Sequence, residues 1–465
     1  MKIYNLPFIY LTFSVFLCLL MPYLVQRGMF LDGVTYATMS RNFAEGISTT
    51  QKPIYTDLYP FYEQPVLGFL IQSVFYKILG NSIYVEKIFS MLMAVLSLIG
   101  LVLCWKIFTK KTSILFSFWM PALIWITIPL VSWTFSNNML ESIITVSSIF
   151  SVYFSIKSFQ KQRFLYTIIS SIFIIFGFLV KGPVGIFPLV TPIIFGFIFN
   201  RRKEGFYNFI LTFISCISIL LLIFYTFPAL KINIIKYFEV HLLPAIKDER
   251  EISTKYRGFI MWKALIQLCI PSILVLVFIF INRYKRIKNE VPFFKEALFF
   301  VLIALSASLP LMITHKQRKY YLTTSLIYYS LAFGFLLAPW VNYYIKKINL
   351  KYRKAIIYGS FFLVFITISI CIIRFDKYSR DKELIEDVLY ISDKLPPHTV
   401  ISFEDCSNYL LNAYMYRLGY LNLDCSDDKH IYYLTVKENS LPDNLKNLYV
   451  KEKELNIYTL YKRIK

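Results

Sequence analysis

A chain of 465 residues that is 57% hydrophobic and 18% aromatic, carrying 50 Lys and Arg against 28 Asp and Glu for a net charge of +22, is too apolar for an ordinary soluble enzyme. Its basic residues fall mostly in short loops between apolar runs, which excludes the basic face of a nucleic-acid binder. The expected class is an α-helical polytopic membrane protein.

Apolar runs of roughly 17 to 25 residues, the length that a hydrocarbon core of ~30 Å demands of a helix, recur about eleven times. They cover roughly 6–25, 83–105, 112–131, 139–157, 164–180, 183–200, 208–228, 259–281, 297–313, 321–340 and 354–373. No A-x-A-like cleavage site follows the first run, so it reads as a retained anchor.

The segment from Gln26 to Ser82 contains two helix-like stretches. Gly33 to Glu45 has Asp32 as its N-cap candidate and Gly46 as its stop. Pro65 to Leu79 is apolar and shorter than a span, and placing it in the interfacial plane keeps the later basic loops on one side. Those loops are "WKIFTKK", "KSFQKQR", "NRRK", "NRYKRIK" and "KKINLKYRK". By the positive-inside rule they are cytoplasmic, which puts the segment 26–82 and everything after about Arg374 outside.

Residues 375–465 change character, with the helix-like "RDKELIEDVLYISDKL" and "SNYLLNAYMYRL" among the strand-like "HTVISF", "IYYLTV" and "LNIYTLYK". They predict a small α/β domain outside the membrane, following a membrane domain of residues 1–374. Of seven cysteines, Cys18, Cys104, Cys216, Cys269 and Cys371 lie in apolar runs, while Cys406 and Cys425 lie in the outer tail, where an oxidising compartment permits a disulfide.

Topology explains the inward charges but not the outward ones. Outside stand Asp32, Arg41, Lys52, Asp57, Glu63, Glu141, Lys181, His241, Lys247, Arg250, Arg257 and the run from His315 to Tyr321. Acids at span ends with cations nearby suit a site that grips an anionic head group while a carboxylate manages a proton. Each has a plainer reading as well: a helix cap for Asp32, a dipole complement for Glu141, a snorkelling amine for Lys181 and lipid-phosphate contact for 315–319.

The motifs "LDGVTYATMSRNFAEG", "PFYEQPVLGFLIQSVFYKILG", "NNMLES", "GFLVKGPVG" and "RKYYLTTSLIYYSLAFG" occur in the order found in GT-C membrane glycosyltransferases. Over about 370 residues the chain resembles the aminoarabinose transferase and protein O-mannosyltransferase superfamily. The resemblance implies a GT-C-like fold with interfacial helices in the first outer loop. It also implies transfer of a sugar from a polyprenyl phosphate, often undecaprenyl phosphate, to a lipid, glycan or protein acceptor at the outer face of the inner membrane, as in lipid A modification. By that resemblance Asp32 and Glu141 are the catalytic acids, and Lys181, Lys316, Arg318, Lys319 and Lys52 bind the donor phosphate. Tyr36, Arg41, Tyr62 and Glu63 bind the acceptor or support the loop.

The chain departs from the family where Gly33 replaces a second acid and Gln64 replaces a lysine. Some relatives hold a divalent metal between a glutamate and a histidine, which here are Glu63 and His241; one Glu and one His fall short of a metal set by themselves. The competing reading is a transporter or flippase of lipid-linked sugars. That class tends to carry ionisable residues within spans and broken helices in repeated halves, and no internal repeat is visible here.

Overall fold

The computed structural model describes residues 2–247, 254–284, 293–405, 407–426, 430–439 and 441–464. Arg250, Cys406 and part of the basic loop 282–288 lie outside the described residues. Chain contacts gather into two compact units, one of Met1–Leu24, Tyr62–Gly68 and Lys87–Phe375, the other of Val25–Phe61, Phe69–Glu86 and Asp376–Lys465. Most of the segment 26–82 therefore groups with the C-terminal segment.

The apolar runs form helices α1 (Lys2–Leu24), α2 (Leu31–Ala44), α3 (Leu67–Leu79), α4 (Val85–Thr109), α5 (Trp119–Thr127), α6 (Pro129–Ser136), α7 (Leu140–Ser158), α8 (Arg163–Lys181) and α9 (Thr191–Ile198). They continue with α10 (Arg202–Thr226), α11 (Pro228–Tyr237), α12 (Leu243–Ile246), α13 (Phe259–Tyr284), α14 (Phe294–Ser308), α15 (Thr323–Lys346) and α16 (Leu350–Arg374). Among the described residues nine helices are long and apolar enough to cross a membrane, and ten crossings result if α5 and α6, bent by 72°, count as one. The bend falls at Ile128, whose extended backbone precedes Pro129, a residue suited to opening a new helix but not to continuing one.

The expected span 183–200 takes another form. Residues 182–185 and 187–190 are 3-10 turns and α9 follows them. Arg163, at the start of α8, pairs with Glu204, at the start of α10, at 3.0 Å, so the chain that leaves at one has returned by the other. Eight residues at about 2.0 Å and eight at about 1.5 Å rise cover roughly 28 Å, close to a hydrocarbon thickness without one long helix.

Buried residues make up 78% of the most apolar stretch of α7 and 83% of that of α15, against 11% in α10 and α16. The central helix α7 is rich in Ser and Thr, and small side chains let its neighbours approach. A Cβ at Gly100 of α4 would lie 2.4 Å from Ile149 of α7, and Ser151 of α7 shares a hydrogen bond with Ser170 of α8 at 3.0 Å.

In the second unit, α17 (Lys382–Lys394) and α18 (Tyr409–Gly419) accompany a five-stranded sheet. Its strands are β3 (Val400–Phe403), β4 (Asn422–Asp424), β5 (Tyr432–Val436), β6 (Tyr449–Glu454) and β7 (Tyr458–Arg463), after a small hairpin of β1 (Ile54–Thr56) and β2 (Tyr59–Pro60). The order is β4-β3-β5-β7-β6, with β3 parallel to both neighbours and β7 antiparallel to both of its own. Met29, Val34 and Ala37, from the segment between α1 and α3, enter the same apolar core as Val388, Ile401, Leu411, Met415 and Leu434.

The segment after α1 is fixed beside the one after α16. Arg27 grips Asp376 through two hydrogen bonds of 2.7 and 2.6 Å, and Gly28, at φ +90°, sits where a Cβ would meet the Arg380 carbonyl at 2.7 Å. This turn sets the start of α2. Phe30 is extended at the N-cap position and makes no side-chain cap. Asp32 therefore does not cap: it lies inside the first turn, where a carboxylate complements the helix dipole. At the other end Gly46, at φ +79°, stands where the stop was expected.

Candidate active site

In the membrane unit the polar groups converge around the end of α8. Gly182 at φ +66° turns the chain sharply after Lys181, and Gly185 packs so tightly on α8 that a Cβ there would lie 2.2 Å from the Gly177 carbonyl carbon. "GFLVKGPVG" is thus a steric motif: its glycines let the chain fold back and leave Lys181 at the corner. A second turn mirrors it before α7. Asn138, at φ 52°, takes the left-handed conformation that asparagine tolerates, and Glu141 follows in the first turn of α7.

The two corners meet. Lys181 donates to Glu141 Oε1 at 2.5 Å, with side chains 8% and 2% exposed. The ammonium also lies 4.9 Å from the ring centre of Tyr321 and 6.0 Å from that of Tyr320. Tyr320 stacks on Trp133, and Lys319 Nζ stands 5.7 Å from the same indole. Gln317 holds the preceding loop by donating to the Arg257 and Thr314 carbonyls and accepting from Ile260 N–H. Lys316 and Arg318 flank it and are partly exposed.

The segment 62–68 joins this cluster, because a Cβ on Gly68 would touch Leu140 and Val180, the residues just before Glu141 and Lys181. From it Glu63 extends toward His241, Oε2 to Nδ1 being 4.0 Å, and the Tyr62 hydroxyl accepts from Lys236 at 3.1 Å. His241 stacks on Tyr237, whose ring lies where a Cβ of Gly182 would be. Of the sequence candidates, Tyr62, Glu63, Glu141, Lys181, His241, Lys316, Arg318 and Lys319 thus fall in one unit.

The remaining candidates lie in the second unit. Tyr36 is buried beside Phe69, and Lys52 is exposed in a turn closed on Thr49. Arg41 is fully buried, donates to the carbonyls of Tyr416 and Arg417, and lies 3.8 Å from the Tyr420 ring centre. Burial and the neighbouring Arg417 lower its pKa. It thereby serves two carbonyls in the last turn of α18, where a helix end leaves carbonyls short of donors.

Two lysines escape a reading by sequence. Lys87, 4% exposed, donates to the Ser136 carbonyl at 3.2 Å and ties the start of α4 to the turn before α7. Lys236 looks like any other cation in its segment, and its significance comes from Tyr62, 174 positions away. For a metal, Glu63 and His241 supply two donors, and among the described residues no three His, Cys, Asp or Glu side chains gather to hold an ion. The donor set is incomplete, so no step of the chemistry is drawn through a metal.

The family profile described as dolichyl-phosphate-mannose-protein mannosyltransferase matches residues 63–227. Among curated proteins no sequence matches the chain. ArnT from Cupriavidus metallidurans, in a crystal structure bound to undecaprenyl phosphate, superposes with a TM-score of 0.65 at 12% identity, covering 98% of this chain and 97% of that one. Its apo structure gives 0.62 at 12% identity, with 97% and 95% covered. The protein is a polytopic α-helical membrane protein with the GT-C fold of ArnT and a small C-terminal sheet-containing region.

Proposed function

We propose that the protein is an integral membrane glycosyltransferase that moves a sugar from a polyprenyl-phosphate donor to a lipid, glycan or protein acceptor at the extracytoplasmic face. One observation carries this reading: the stretch matched to the mannosyltransferase profile, residues 63–227, contains Glu141 and Lys181, which form a buried pair, and begins at Glu63, which reaches toward His241. The undecaprenyl phosphate bound to ArnT supports the donor class, and the basic loops support an inner-membrane protein with this cluster on the outside.

In this reading the donor's phosphate is held by Lys181 with Lys316, Arg318 and Lys319 around it. Lys181 and Glu141 together are neutral, so the cations of the 316–319 run carry the net charge that balances a phosphate, while Glu141 fixes the ammonium of Lys181. An acceptor then displaces the lipid phosphate in one in-line step with inversion, and the leaving charge meets cations already in place. Asp32 is assigned the acceptor's proton, or its positioning when the acceptor is already an anion. In the same reading residues 1–374 form the transferase domain and 375–465 an extracytoplasmic domain that supports its outer loop.

Purified protein given a polyprenyl-phosphate sugar and acceptor should yield a covalent product by mass spectrometry. Asp32→Asn should lower turnover by about 10²- to 10⁴-fold, the usual worth of general-base help, without loss of fold. Near-normal turnover would remove Asp32 from this role. The bent pair α5 and α6 favours a second reading, transport of a lipid-linked sugar, because broken helices are common at transporter sites. That reading requires sugar movement across a vesicle with no covalent product.

A further inference from the structure

One polar face of the membrane unit lies beyond the residues assigned above. Helix α11 begins at Pro228 and carries Asn233, Lys236 and Tyr237, and His241 follows in a π-turn at its end. At helical spacing Asn233, Tyr237 and His241 lie on one side, with Lys236 beside them. Tyr237 is pressed against Gly182, the residue after Lys181, and Lys236 reaches Tyr62, so this side borders the cluster around Lys181.

Asn233 is the anomaly. It is 0% exposed, and neither its amide nitrogen nor its oxygen has a hydrogen-bond partner among the described residues. A buried amide of this kind is costly in both directions, since it forgoes a donor and an acceptor at once. A group offering both hydrogen-bond senses, as vicinal sugar hydroxyls do, would satisfy it. Lys236, one turn on, holds a positive charge against the Tyr62 hydroxyl.

We propose that α11 is the glycosyl-phosphate recognition element of this site, with Asn233 hydrogen-bonding the sugar hydroxyls of the donor and Lys236, set by Tyr62, pairing with its phosphate. This deepens the proposed function and rests on its donor class. It makes Asn233 a determinant of sugar specificity and Lys236 a determinant of affinity for the lipid phosphate whatever sugar it bears.

The full-length protein in nanodiscs should be titrated with two probes, a polyprenyl phosphate and the same lipid esterified with mannose. Lys236→Met should weaken both roughly tenfold to a hundredfold, the range for losing a hydrogen bond to a charged group. Asn233→Leu should weaken the mannosyl ester roughly threefold to tenfold and leave the bare lipid phosphate unchanged. It should not lower the thermal midpoint, because it removes an unsatisfied amide. Unchanged affinity in both variants overturns the proposal, and so does a lower midpoint in Asn233→Leu with equal loss for both probes. Should the wild type bind as described but make no product, the proposed transfer fails and the recognition face stands. Should it transfer sugar while neither variant alters binding, the converse holds.

Discussion

Two buried ion pairs, one in each unit, look alike and are built differently. In the second unit Arg417 meets Glu86 at 3.1 Å, with side chains 3% and 2% exposed. Arg417 also donates to Asn81 Oδ1 at 2.7 Å, the Ser82 carbonyl at 3.2 Å and the Tyr76 hydroxyl at 3.3 Å, while Tyr76 itself donates to Glu86 at 2.6 Å. Burial would lower the Arg417 pKa, but Glu86 and Tyr76 outweigh it and raise it further. In the membrane unit Lys181 has, among the described residues, Glu141 as its one hydrogen-bond acceptor, and two tyrosine rings face the rest of the ammonium. A guanidinium that spreads its donors over several acceptors is locked in place, whereas an ammonium among rings retains donors for a ligand. The first arrangement is architecture, and the second suits a binding site.

Breaking the locked pair should have the largest effect. Arg417→Met leaves Glu86 buried without its cation and should cost about 3–5 kcal/mol of stability. Denaturant or thermal unfolding of the full chain in detergent would measure it. Replacing both, as Arg417→Met with Glu86→Leu, should recover most of the loss, because a buried pair is often no more stable than apolar side chains of similar volume. Transfer activity should return with the fold. An Arg417→Met protein as stable as wild type would mean that the network does not hold the unit together.

The second pair should part stability from activity. Lys181→Met should reduce turnover by about 10²- to 10³-fold, the scale of losing one charge-stabilising donor. Adding Glu141→Gln should restore stability but not turnover, measured by unfolding and product formation on the same samples. If the double variant regained activity, Lys181 would be structural like Arg417 and the contrast between the pairs would vanish.

That contrast marks the limit of what the amino-acid sequence alone reveals. Spans and tail elements were legible, since hydropathy, β-branched alternation and stop residues are local: "HTVISF" does form β3, and Gly46 does end α2 with the positive φ that glycine permits. The N-cap lies two positions before Asp32 because the start of α2 is set by the Gly28 turn against Arg380, a partner in the distant tail. The short strands β4 and β6 went unseen, as their three and six residues acquire strand character mainly from pairing. Within the site, Lys181 and Glu141 were legible as outward charges, but their pairing was not. Lys87, Lys236 and Arg417 carry no signal that separates them from ordinary surface cations until the fold supplies Ser136, Tyr62 and Glu86.

The smallest effect concerns a third polar cluster, in the second unit, more exposed than either pair. Asp57 is 33% exposed and accepts from the Tyr416 hydroxyl at 2.6 Å and from Asn422 at 2.7 Å, with His398 Nδ1 at 2.8 Å. Burial pushes its pKa up, but these three hydrogen bonds outweigh burial and hold it below the usual carboxylate value. A depressed carboxylate contributes stability that is fully present above its unfolded pKa, near 3.9, and is lost as pH falls through the lower folded value. Because the group is partly solvated, the contribution should be about 1 kcal/mol or less. Thermal midpoints of wild type and Asp57→Asn should therefore differ above about pH 5 and converge toward pH 3. Asp376, likewise depressed by Arg27, remains in both proteins and cancels from the comparison. A difference that stayed constant across this range would assign the effect to the shape of the hydrogen bonds and not to the charge, placing Asp57 with neither ion pair.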